Sequence, residues 1–326
     1  MQKLLKNKLL LSIVILVVLT ALLIHYIANN LGDFLSLRLE QPFFLILLAI
    51  GSVAALYSNG AVMDVVLRPL GLRLRKMETF GLAAVTRIGN QLAPGKLGLA
   101  IRASYLKRKY SFPFSKFASA LGAAHILMYF LSSLLGLAGL LLLTRSNGGL
   151  EAATFVFLLS GMCIFLLGLL LFSPQIKEGS NFLTRHLSRV INGWFLIRRN
   201  QQILQLASVW ALAHVLSIAI VIFASFNALG AGIGVLQALF ITSLAILAGL
   251  IGITPAGLGI NEGLIVVAAS VLGIPVSVAL AAALLRRVIA FAVLVIITPF
   301  ITRYLFDAPL LETLRRTRSQ TGQNSS

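Results

Sequence analysis

The chain has 326 residues, of which 59% are apolar and 11% charged, with a mean hydropathy of +0.97 and a formal net charge of +18. That composition cannot cover a water-soluble surface and describes a polytopic membrane protein. A single cysteine, Cys163, excludes an intrachain disulfide and reads as a small apolar filler.

In chain order, apolar stretches of the ~20 residues needed to cross a ~30 Å hydrocarbon core fall at 9–28, 43–63, 117–143, 152–172, 205–228 and 278–301. The first follows Lys3, Lys6 and Lys8. It is too long for the apolar region of a signal peptide and has no small-residue cleavage site, so residues 1–28 are expected to be an uncleaved anchor. Two further segments, about 80–106 and 235–273, are each cut near the middle by Pro and Gly. A re-entrant hairpin, or two short crossings, fits such a segment better than one straight helix. The expected fold is all-α, with about six full transmembrane helices plus two broken hairpins, eight if these are counted as spans.

The breaks form an internal repeat. Pro94-Gly95-Lys96-Leu97-Gly98 recurs about 161 residues later as Pro255-Ala256-Gly257-Leu258-Gly259, and with one gap Pro113 falls on Pro275 and Ser115 on Ser277. Pro94, Gly98, Pro255, Gly257 and Gly259 are the expected backbone breaks. Two unwound segments at corresponding places in two halves are the sequence pointer to a transporter-type site. One transmembrane domain over 1–306 is expected, in halves of about 1–172 and 205–306. A cytoplasmic linker at 173–204 joins them, and a polar, disordered cytoplasmic tail occupies 307–326.

The positive charge would suit nucleic acid, but its distribution follows membrane topology, because Lys and Arg accumulate in cytoplasmic loops. With the N-terminus inside, segments 1–8, 64–79, 103–116, 173–204 and the tail from Arg303 carry +3, +2, +4, +4 and +2, whereas the opposite loops sum to about −1. No nucleic-acid partner is expected. Both termini are placed in the cytoplasm of an inner-membrane protein, and the two broken segments enter from opposite faces, which makes the repeat inverted.

Charges inside the spans need individual reasons. Arg87, Lys96 and Arg102 surround the first break, Glu262 follows the second, and Arg286-Arg287 lies well inside the last span. Five cations against one acid suit an anionic headgroup, above all a phosphate, which guanidinium groups bind in bidentate fashion. Half-helix N-termini after Pro94 and Pro255 would add N–H donors and a positive dipole end. Plainer roles stand beside this. Arg87, Lys96 and Arg102 can serve as interfacial anchors that snorkel to lipid phosphates. One of Arg286 and Arg287 can bridge to Glu262, and Asn90, Gln91 and Asn261 can cap freed backbone groups. Arg87, Arg102, Glu262, Arg286, Arg287, Asn90 and Asn261 are the candidate substrate-binding residues. His25, His125, His186 and His214 show no metal spacing. His125 aligns with Arg287 in the repeat and reads either as cavity-lining or as a packed helix histidine. No catalytic constellation or phosphate-cradling loop is visible, so neither enzyme activity, cofactor nor metal is expected.

Arg87-Ile88-Gly89-Asn90-Gln91-Leu92-Ala93-Pro94-Gly95-Lys96-Leu97-Gly98 with Arg102-Ala103, and Thr254-Pro255-Ala256-Gly257-Leu258-Gly259-Ile260-Asn261-Glu262-Gly263, resemble the lysylphosphatidylglycerol synthase/flippase membrane-domain family over roughly 5–305. The resemblance implies a flippase-like domain that moves lipid between leaflets. In the full-length multiple peptide resistance factor this domain precedes a soluble aminoacyl transferase. Because the sequence runs only shortly past the last span, the expectation is that it does not make lysyl-lipid itself. The family's first motif commonly carries Glu after the glycine, where Leu99 stands here; its loss argues against an aminoacylated cargo. The expected function is a translocase for an anionic or lipid-linked headgroup working by alternating access. The alternative is an accessory subunit presenting lipid to a separate transferase, docked through 173–204, and a membrane-embedded enzyme is a minor third.

Overall fold

The computed structural model describes residues 25, 28–32, 38–92, 97–143, 150–172, 182–251, 254 and 257–306. The expected first span therefore falls almost wholly outside the described residues, as do Pro94, Lys96, Pro255 and the tail. Among the described residues the regular structure is helical: α1 (Phe44–Leu67), α2 (Lys76–Leu92), α3 (Leu97–Tyr110), α4 (Phe114–Leu143), α5 (Leu150–Leu171), α6 (Phe182–Arg199), α7 (Gln201–Ala228), α8 (Val235–Ile251), α9 (Ile260–Val271) and α10 (Val276–Phe306). Five of these, α1, α4, α5, α7 and α10, are long and apolar enough to cross a membrane. They coincide with the expected spans from 43–63 onward. The protein is an all-α polytopic membrane protein.

Each broken segment forms a pair of short helices packed on one another, α2 on α3 and α8 on α9. The helix pair of each half also lies against the long helix of the other half, α2 on α10 and α8 on α4. Among the described residues the first long helices of the two halves, α1 and α7, share the most extensive packing. Exchanging α1 with α7, α2 with α8, α3 with α9 and α4 with α10 leaves this pattern of neighbours unchanged, as the internal repeat of the sequence requires. α5 and α6 stand outside the exchange. α6 presents Ser188, Gly193, Trp194 and Ile197 to the bundle on one face, and the Trp194 indole Nε1 donates to Leu169 O near the end of α5 at 3.2 Å.

Between helices in hydrocarbon there is no water to expel, so packing depends on close approach at small residues. A Cβ on Gly136 of α4 would sit 2.3 Å from the Ser243 side chain of α8, and one on Gly139 would sit 2.8 Å from Leu236 O. The symmetry-related contact has Gly81 of α2 against Ile301 and Leu305 of α10. The tightest crossing is inside the first pair, where a Cβ on Gly98 would lie 1.9 Å from Thr86 O.

The Gly98→Ala substitution is expected to unfold the α2–α3 pair at a cost of about 2 kcal/mol or more, because the obstruction is backbone and cannot rotate away. Gly122→Ala on α4, where a Cβ meets nothing within 4 Å, should be neutral or stabilising by up to about 1 kcal/mol through helix propensity. Thermal unfolding of both variants in one detergent reads the difference.

Candidate functional site: a cationic cluster at the second break

The second break is built on glycine conformations. Gly257 and Gly259 take φ of 67° and 79°, a left-handed region that residues with a Cβ adopt at a cost. Gly257 N–H closes a turn onto Thr254 O at 3.1 Å. The chain then enters α9, where Glu262, three residues after Gly259, turns back so that its Oε2 accepts from Gly259 N–H at 2.8 Å. A carboxylate at this position both satisfies a freed amide and faces the positive end of the helix. Glu262 is 5% exposed.

The same carboxylate reaches α10. Arg287 Nε lies 2.9 Å from Glu262 Oε1, in the bent geometry of an ion pair. The neighbouring Arg286 points elsewhere along the helix and its Nη2 donates to Asn261 Oδ1. Asn261 is held in turn, since its Nδ2 donates to Ala245 O of α8 at 2.7 Å. The two adjacent arginines thus tie α10 to successive residues of α9, one through charge and one through an amide. Arg286 Nε is buried and finds no hydrogen-bond partner among the described residues.

Arg87 completes the cluster from the first half. Its charge acts on both Arg286 and Arg287 across the interface of α2 with α10, and its side chain is exposed, so the cluster is open rather than sealed. Arg286 and Arg287 therefore flank the Glu262 carboxylate, with the charge of Arg87 felt by both arginines. A buried guanidinium nitrogen without a partner is costly, so Arg286 Nε favours an added anion with acceptor oxygens.

Arg102 is not brought into this cluster. It is 2% exposed, which removes it from an interfacial snorkelling role. The charge acting on it is that of Asp64, and its Nε and Nη2 have no hydrogen-bond partner among the described residues. Asp64 is itself buried and accepts from Arg68 Nη2 at 2.7 Å and from Leu74 N–H at 2.8 Å, stapling the turn between α1 and α2. Asn90 acts as a cap: its Oδ1 accepts from Gly98 N–H at 3.0 Å, bridging the first break. His125 Nδ1–H donates to Leu121 O of its own helix at 2.7 Å, and His214 Nδ1–H donates to Ala55 O at 2.9 Å in the α1–α7 interface.

In the sequence Glu78 is one of the charges within the +2 of segment 64–79. In the first turn of α2, outside the membrane-spanning helices, it is 1% exposed and accepts from Arg75 N–H, Tyr105, Tyr110 and Lys109. It thereby ties the start of α2 to the end of α3. Two tyrosines and a lysine within the last six residues of α3 were the available signal. Burial pushes the Glu78 carboxyl up, but the hydrogen bonds from Lys109, the Arg75 amide and the tyrosines outweigh it and hold it at about 2.

The fold and cluster define an integral membrane protein with a charged site where broken helices meet. The family model for the lysylphosphatidylglycerol synthase TM region matches residues 9–298. The chain belongs to that family, and its role is lipid-related. No curated protein matches it.

A carboxyl depressed in the folded state stabilises only while ionised. The contribution of Glu78 is therefore expected to be full above its ordinary value of 4.5 and to disappear as pH falls toward 2. Glu78→Gln should melt lower than the parent at pH 7, and the gap should close between pH 4.5 and 2, as read by thermal unfolding across that range.

Proposed function

We propose that the protein is a lipid translocase that passes an anionic, phosphate-bearing headgroup between leaflets while the acyl chains stay in the bilayer. The observation that carries this reading is the buried, unpartnered Arg286 Nε beside the Glu262–Arg287 pair, on the helix against which α2 of the other half packs with Arg87. A phosphate entering there offers an acceptor to the buried Arg286 Nε, which has no hydrogen-bond partner among the described residues. In this reading the two helix pairs enter from opposite faces of the inner membrane, as re-entrant hairpins or as two short crossings, and the distribution of basic loops supports cytoplasmic termini. Rocking of the two halves about the α1–α7 interface would expose the cluster to each leaflet in turn.

Within this mechanism the ion pair has a defined part. With the site empty, Glu262 neutralises Arg287; when a phosphate binds, Arg87, Arg286 and Arg287 share its oxygens while Glu262 keeps its hold on Gly259 N–H. The break in the helix is thus maintained whether or not cargo is present. Arg102, whose charge interacts with that of Asp64 rather than with the arginines of the cluster, stays outside the headgroup site in this reading.

A second reading, an accessory subunit that presents lipid to a separate transferase, draws on the half-exposed basic end of α6 at Arg198 and Arg199. It predicts that substitutions there release a partner without affecting lipid exchange.

The test is leaflet exchange in proteoliposomes with short-chain labelled phosphatidylglycerol, a polyprenyl phosphate and a neutral control lipid. Exchange of an anionic lipid is expected to fall at least about tenfold in Arg87→Gln, which breaks no described hydrogen bond, and in Arg287→Ala. Unchanged melting of Arg87→Gln would assign that loss to binding. No exchange above empty vesicles for any lipid would overturn the translocase reading in favour of the partner-dependent one.

A further inference from the structure

A second feature lies away from the cationic cluster. Where α4, the end of α5, the end of α6 and the start of α7 converge, they enclose a groove of about 590 Å³. Phe130 and Leu131 of α4, Leu170 of α5 and Leu204 of α7 line its apolar length, and Arg198 and Arg199 stand in its wall at the junction of α6 with α7. Among the described residues none that line it is acidic. Its volume is that of a small-molecule site, but its walls separate into a hydrocarbon part and a doubly cationic part.

Local structure fixes this division. Gly193 lets α6 cross α4 closely, with a Cβ there placed 2.3 Å from Ser119 Oγ, and the Trp194 indole holds α6 to the end of α5. One turn later Arg198 and Arg199 end α6, and Asn200 starts α7 by accepting from Ile203 N–H at 3.1 Å through its Oδ1. The positive end of the 28-residue α7 therefore lies at the same place as the two guanidinium groups. Lys116, whose Nζ donates to Leu70 O at 3.0 Å, and the Arg68–Leu70 turn, packed on α6, belong to this same end of the bundle.

We propose that this groove is a binding site for one membrane phospholipid of net negative headgroup, held in the leaflet on the side of the basic loops. The acyl chain lies along Phe130, Leu131, Leu170 and Leu204, and the phosphate is bound by Arg198 and Arg199 at the α7 N-terminus. Charge complementarity selects the occupant. A zwitterionic headgroup brings a cation to a rim that already holds two, whereas an anionic one brings only acceptors. The inference goes beyond the translocase reading and is independent of it, since the groove shares no residue with the cluster of Arg87, Arg286 and Arg287.

The experiment is native mass spectrometry of the full chain released from nanodiscs containing equal phosphatidylglycerol and phosphatidylcholine. It is carried out in the parent and in Arg87→Gln, so that lipid held by the central cluster is separated from lipid held by the groove. In both backgrounds the protein is expected to retain phosphatidylglycerol over phosphatidylcholine by about fivefold to tenfold, the scale of losing or keeping charge-assisted contacts. In the Arg87→Gln background, joint Arg198→Gln and Arg199→Gln substitution should bring the ratio to about one. Joint Arg198→Lys and Arg199→Lys substitution should keep most of it, and Arg303→Gln, at an exposed arginine on α10, should leave it unchanged. Leu131→Trp, which fills the apolar part and keeps both charges, should lower total retained lipid. Retention that is indifferent to Arg198 and Arg199, or that falls equally with Arg303→Gln, would overturn the proposal and leave the translocase reading standing.

Discussion

A helix interrupted inside hydrocarbon releases backbone groups that no water can satisfy, so the breaks in this chain depend on the side chains that take over those hydrogen bonds. At the second break that role falls to Glu262, which accepts from Gly259 N–H and also pairs with Arg287. At the first, Asn90 accepts from Gly98 N–H. The two solutions differ chemically although the glycines are equivalent in the repeat. The cap at the first break is neutral and reaches forward from α2; the cap at the second is charged and reaches back from α9. Only the second can therefore recruit an arginine, from the helix α10 that follows it, and the cluster forms at that break.

The unequal caps explain how a nearly symmetric framework supports an asymmetric site. The neighbour pattern repeats between halves, with α2 on α10 and α8 on α4, yet the charge is concentrated on one side of the exchange. His125, the repeat equivalent of Arg287, is engaged with its own helix at Leu121 O. Arg87 then brings the first half to the cluster by position on α2 rather than by symmetry.

Away from the breaks, the basic-loop end of the molecule is held by buried acids. Glu78 gathers donors from both ends of the first helix pair, and Asp64 staples the turn that precedes it. These two carboxylates leave the adjoining Arg and Lys residues with a net excess, which suits an end that faces anionic headgroups. The glycine contacts and the acid hubs therefore do different jobs: the first set how near the helices come, and the second fix where the pairs begin.

The sequence by itself determined the membrane class, the spans from 43–63 onward and the positions of the two breaks, because hydrophobic length and Pro/Gly interruption are local properties that hydrocarbon enforces residue by residue. It also marked Glu262, Arg286 and Arg287 as charges needing a reason, since a charge within a span is costly wherever its partners lie. What the partners are was decided only by tertiary structure. Two adjacent arginines are equivalent in sequence until α9 packs against α10 and gives Glu262 to Arg287 and Asn261 to Arg286. Arg102 and Arg87 likewise flank one motif, but the crossing at Gly98 sends the first toward Asp64 and the second toward the arginines of α10. Glu78 read as one more loop charge because its partners lie 27 to 32 residues away. That separation becomes contact only when the helix pair closes.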